Sequence, residues 1–133
     1  MDYSAVPGVV FTQPEIAAVG LSPSKAKADR IPVSVGKFLY RASGKALCDG
    51  HLDGRVELLC AEEDGRVLGG WIAGHDAGTL IAEIGLAVDQ GMTAAQMIHA
   101  IHAHPTMPEM IAEAAADALG CAIHRAPLRR LGR

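Results

Sequence analysis

Up to Gly74 the apolar residues of this chain come in short runs or in alternation, and beyond it they recur every three to four positions. Val9-Val10-Phe11 reads as a strand stopped by Gln13-Pro14-Glu15, with residues 16–20 continuing it in extended form. Ser22-Pro23 then opens a short helix to about Asp29, a polar cap followed by proline in the first turn. Residues 31–40 return to a strand pattern, with Val33, Val35 and Lys37 alternating against Ser34 and Gly36. Ala42-Ser43-Gly44-Lys45 reads as a loop. Two apolar runs, 55–61 and 66–73, flank Glu62-Glu63-Asp64-Gly65 and predict a hairpin, with Trp71 as a packing anchor.

The later period predicts three helices. Ala77, Leu80, Ile81, Ile84, Ala87 and Val88 mark one face of the first, which Gly91 would end. Thr93 and Gln96 match a capping box for the second, with Met97, Ile98 and Ile101 turned inward. The third carries Met110, Ile111, Ala114, Ala118 and Leu119 and stops before Gly120. Strands first and helices last, with a hairpin among the strands, predict an α+β domain: an antiparallel β-sheet with helices packed on one side.

Composition narrows the function classes. At 133 residues the chain is one domain, and with 50% apolar but only 4% aromatic residues its core is built from small aliphatic side chains. A net charge of −3 gives no reason to expect nucleic acid or an anionic membrane as partner, despite the basic end at Arg125, Arg129, Arg130 and Arg133. Residues 80–88 are the most apolar stretch, too short to span a bilayer and interrupted by Glu83. Cys48, Cys60 and Cys121 are odd in number and widely spaced, so each is expected to be a small core residue in a reducing cytoplasm.

Candidate chemistry gathers in His102-Ala103-His104-Pro105-Thr106-Met107-Pro108-Glu109. Pro105 biases His104 towards extended backbone just outside a helix, and an X-Pro bond can be cis and turn the chain sharply. Glu109, five residues on, can reach one imidazole nitrogen, fix the tautomer and leave the other as a base. The same letters fit a capping box, with Thr106 as N-cap and Glu109 at the third helical position. A carboxylate has lone pairs for both tasks, so both readings stay open.

Two further clusters are weaker. His99, His102 and His104 could hint at a metal, but Pro105 spoils the helical geometry and no cysteine is near, so no metal site is expected. Gly74-His75-Asp76-Ala77-Gly78-Thr79 could hold an anion on free N–H groups, yet Asp76 would repel it and is expected to cap the helix instead. No G-x-G-x-x-G, P-loop or closely spaced cysteine pair is present, so the chain cannot by itself be a nucleotide-dependent oxidoreductase of the usual kind.

With those residues set out, the sequence resembles the C-terminal dimerisation domain of the flavin-dependent pyridine nucleotide–disulfide oxidoreductases. The resemblance rests on residues 6–20, on residues 69–81 and on His102-Ala-His-Pro-Thr-Met-Pro-Glu109, and it spans about residues 3–124. It implies a dimerisation domain over 1–124 followed by a basic tail at 125–133. His-Pro-Thr-x-x-Glu is shared across the family, and His-Ala-His-Pro-Thr leans towards the lipoamide branch over the glutathione one. Met107-Pro108 stands where the family often has Leu-Ser, and Gln13 where histidine is common.

The resemblance implies that His104 is the base taking the proton from a substrate thiol, that Glu109 orients it, and that the thiolate attacks a redox disulfide of the partner subunit. Electrons would pass to FAD and then NAD, both held by the full-length enzyme and neither by this chain. It also implies a homodimer serving a lipoamide-bearing 2-oxo acid dehydrogenase complex, with Leu80, Ile84, His102 and Pro105 as candidate interface residues. The chain is then expected to be a domain excised from a longer enzyme and starting at an artificial Met1, inactive alone. A glutathione-reductase-like parent and a stand-alone dimerisation or binding module are the alternatives.

Overall fold

A computed structural model describes residues 3–124, so the basic tail expected at 125–133 lies outside the described residues. Five strands, β1 (Gly8–Val10), β2 (Glu15–Gly20), β3 (Val33–Leu39), β4 (Arg55–Ala61) and β5 (Val67–Gly74), form one sheet in the order β1-β2-β5-β4-β3. Every pairing is antiparallel. The helices are α1 (Pro23–Ala28), α2 (Gly44–Asp49), α3 (Ala77–Asp89), α4 (Ala94–His99) and α5 (Glu109–Ala118).

Local chemistry accounts for most of these boundaries. Ser22 caps α1 by accepting from the Lys25 N–H at 3.2 Å, and Thr93 and Gln96 form the full capping box of α4. Gly65 takes the left-handed backbone (φ +72°) that the tight β4–β5 turn requires. Gly91 does the same after α3, where the Met92 N–H reaches the Ala87 carbonyl at 2.8 Å. Residues 11–14 reverse the chain, so β2 runs back along β1 instead of extending it; the Gln13–Pro14 peptide is cis. Ser43 caps α2 where a loop was expected, because its six residues bury only Ala46 and leave no amphipathic period to read.

One face of the sheet carries the core. Ala17, Val19, Phe38, Val56, Leu58, Cys60, Val67 and Ile72 point to the same side and meet Leu80, Ile81 and Ile84 of α3 and Met110, Ile111 and Ala114 of α5, all buried. In β3 the inward phase is the reverse of the expected one: Gly36 and Phe38 face the helices, and Val35 turns out to solvent. The reason is the close approach of α5. A side chain at Gly36 would run into the Ala114 carbonyl, so the strand crosses the helix where it has none. The Lys37 N–H on this edge strand donates to the Asp117 carboxylate of α5 at 2.8 Å.

The opposite face is partly bare. Val10, Ile16 and Leu39 are exposed there, and Trp71 is half-buried beside Ala18 and Glu57, outside the core it was expected to anchor. Glu57 is buried between Lys37 Nζ at 3.2 Å and Arg55 Nε at 2.8 Å, which supply the counter-charge its burial demands. Of the cysteines, Cys60 lies in the core with its thiol pushed up to about 11 by burial, whereas Cys48 and Cys121 are exposed.

Candidate functional site

The chain leaves α4 at Ala100 and enters α5 at Glu109 through an irregular segment containing a cis His104–Pro105 peptide. At its centre His104 Nδ1 lies 2.8 Å from Glu109 Oε1. A carboxylate only accepts, so in the neutral ring this bond puts the proton on Nδ1 and the lone pair on Nε2. The imidazole is 78% exposed and Nε2 has no partner among the described residues. The dyad therefore turns the second ring nitrogen outward.

Glu109 serves its own chain as well. Its Oε2 accepts from the Thr106 N–H at 2.7 Å, while the Thr106 hydroxyl turns away to the Ala103 carbonyl at 2.6 Å. Only half of the expected capping box forms, because α5 begins at Glu109 and Pro108 takes the N-cap position. The Thr106 N–H, then the His104 hydrogen bond and the charges of His104 and His102, hold the Glu109 carboxyl below its usual range against the opposing pull of partial burial.

A second pair, not foreseen, stands beside the first. His102 Nε2 lies 2.9 Å from Glu83 Oε1 of α3, and its Nδ1 lies 3.0 Å from the Ala100 carbonyl. Both nitrogens of His102 thus face acceptors, whereas His104 keeps Nε2 open. Nineteen positions separate Glu83 from His102, so no local spacing announces the contact. A third pair, His124 Nδ1 to Glu113 Oε1 at 2.7 Å, borders the same cleft. That cleft holds about 460 Å³, and its lining includes Phe38, Ser43, His102, His104, Glu109 and His124.

The remaining candidates fall elsewhere. Leu80 and Ile84 turn into the core, 4% and 0% exposed, because their face of α3 covers the sheet; neither can serve an interface as expected. On the outer side of the same region Leu86 is 59% and Ile101 100% exposed, with Pro105 also exposed, so Ile101 does not turn inward either. Asp76 precedes α3 with a left-handed backbone (φ +61°) and makes no side-chain capping bond, contrary to expectation. The cap comes from Glu15 of β2, whose Oε2 accepts from the Gly78 N–H at 2.8 Å. Among the described residues no group of three or more His, Cys, Asp or Glu could hold a metal ion, and no helix is long and apolar enough to cross a membrane.

The five-stranded antiparallel sheet with α3 and α5 on one face, and the absence of a dinucleotide fingerprint among the described residues, define an α+β domain of the dimerisation type. The chain belongs to the pyridine nucleotide-disulphide oxidoreductase family, whose dimerisation-domain model matches residues 6–115. It is 48% identical over 124 residues to a dihydrolipoyl dehydrogenase of Halobacterium salinarum, covering 93% of this chain and 26% of that protein. A dihydrolipoyl dehydrogenase of Chlamydia trachomatis is 45% identical over 130 residues, covering 98% of this chain and 28% of the relative. The chain thus spans about a quarter of the length of the curated relatives it matches.

Solved structures agree on the fold. The crystal structure of LpdA from Mycobacterium tuberculosis superposes with a TM-score of 0.82 at 30% identity, over 86% of this chain and 25% of that one. The HOCl-induced flavoprotein disulfide reductase RclA from Escherichia coli, in its Cu(II) complex, gives 0.80 at 21% identity over 85% of this chain and 26% of that one, a likeness of fold alone.

Proposed function

We propose that this chain is the dimerisation and acid–base domain of a dihydrolipoyl dehydrogenase, with His104 as the base and Glu109 as the residue that orients it. The observation that carries the reading is the His104 Nδ1–Glu109 Oε1 bond of 2.8 Å, which leaves an exposed Nε2 to take a proton. A free thiol titrates at about pH 8.5 and only its thiolate attacks a disulfide, so neutral-pH turnover needs such a base. A histidine side chain can both take and return a proton at neutral pH, which suits that transfer. His104 Nε2 takes the proton of one dihydrolipoamide thiol. The thiolate then attacks a redox disulfide of the partner subunit, forming a mixed disulfide and releasing the second sulfur as thiolate.

FAD and NAD would carry the reducing equivalents onward. The described residues offer no seat for either, since no glycine-rich βα turn exists here. Both belong to the part of the enzyme that this chain does not include. The identities of 48% and 45% to dihydrolipoyl dehydrogenases support lipoamide as substrate and a 2-oxo acid dehydrogenase complex as partner. In a homodimer, His102 and Pro105 with Leu86 and Ile101 would line the contact. The test is His104→Gln in the full-length enzyme. Turnover of dihydrolipoamide should fall about a hundredfold or more, the usual worth of a general base, with FAD still bound; survival within a few-fold ends the reading.

A further inference from the structure

Residues 101–106 make no backbone–backbone hydrogen bond among the described residues, although helices flank them on both sides. Their geometry is set by side chains. On the α5 side, Glu109 holds His104 and the Thr106 N–H, and the Thr106 hydroxyl holds the Ala103 carbonyl. On the α4 side the only such tie among the described residues is His102, which is largely buried, 14% exposed, and lies between the Ala100 carbonyl and Glu83 of α3. Ala103 alone separates it from His104.

We infer that Glu83 and His102 form a positioning clamp for His104, anchoring its segment to α3 so that the imidazole stays seated on Glu109. The inference rests on the reading of His104 as the working base. Three features give the pair this role and no direct part in proton transfer. Each nitrogen of His102 lies against an acceptor, the Ala100 carbonyl or the Glu83 carboxylate, so the ring's N–H is engaged in either tautomer. Glu83 sits on a thirteen-residue helix whose inner face is locked in the core, which makes it a rigid anchor. A segment without a backbone ladder opens locally at low cost unless something else holds it. Removing the clamp frees one end of the segment and leaves His104 tethered through Glu109 alone.

The experiment is amide exchange and imidazole ¹⁵N spectroscopy on the whole chain carrying Glu83→Ala, Glu83→Gln or His102→Gln. With Glu83→Ala the Thr106 amide should exchange about tenfold faster, as local opening becomes easier, and the His104 ring signals should shift. The buried Ile84 amide serves as control for the intact fold. Glu83→Gln keeps an acceptor for Nε2 and should recover most of the protection, whereas His102→Gln, which removes the same tie from the other end, should repeat the Glu83→Ala result. Thr106 exchange within about twofold of the parent, with unmoved His104 signals, in both Glu83→Ala and His102→Gln overturns the clamp. This readout involves no turnover. His104→Gln in the full-length enzyme judges the base separately, and either idea can fail without the other.

Discussion

Glu109 divides its carboxylate between two partners, Oε1 to His104 Nδ1 at 2.8 Å and Oε2 to the Thr106 N–H at 2.7 Å. One residue therefore bears on both the orientation of the His104 ring and the shape of the backbone that presents it. Glu109→Gln keeps an oxygen for one bond only. It should lower turnover of the full-length enzyme by about ten- to a hundredfold, less than His104→Gln, as expected for a group acting through the base. Steady-state kinetics of the two variants side by side measures the difference.

The same carboxylate predicts a pH dependence. Its folded pKa is depressed by the Thr106 N–H first and then by His104 and His102, so its contribution to stability is fully present above the ordinary carboxylate range. That contribution is lost as pH falls through the lowered folded value. Acid should loosen the 101–106 segment before the core, and Glu109→Gln should remove this part of the acid dependence. Amide exchange of Thr106 across an acid titration checks it.

Glu15 caps α3 from 63 positions away through the Gly78 N–H. Glu15→Ala should cost about 1–2 kcal/mol, the range for a lost cap with a carboxylate acceptor. Asp76→Gly should be neutral or slightly stabilising, because Asp76 makes no cap and sits at φ +61°. Urea unfolding checks this: Glu15→Ala should be destabilised and Asp76→Gly should not.

Gly36 passes under α5 with no room for a methyl group against the Ala114 carbonyl. Gly36→Ala must push helix and strand apart and should cost about 1–3 kcal/mol. Since α5 begins at Glu109, His104 ring signals should shift in the same variant.

Ile101 is fully exposed next to the clamp. Ile101→Glu should weaken self-association of the full-length enzyme about tenfold or more if this side meets a second subunit, as a charge buried at such a contact costs free energy. Sedimentation at several concentrations gives the answer.

The elements written in local pattern were legible from the letters. The β4–β5 hairpin announced itself through Asp64-Gly65, α3 through its apolar stripe and α4 through Thr93 and Gln96. The spacing of His104 and Glu109 was also readable, because five residues suffice to bring them together. What escaped depends on contacts between distant parts of the chain. The phase of β3 is decided by where α5 lies, and Val33 and Val35 look more like inward residues than Gly36 does. Glu83 and Glu15 are ordinary surface carboxylates until the fold delivers His102 to one and Gly78 to the other.

The irregular segment before α5 has a consequence for anyone wishing to borrow it. Its outline is held by carboxylates on two different helices and not by a ladder of peptide groups. Grafting His-Ala-His-Pro-Thr onto another scaffold would copy the letters and lose the shape. The transferable part comprises α3 with Glu83, the loop, and the first turn of α5, set at their mutual distance.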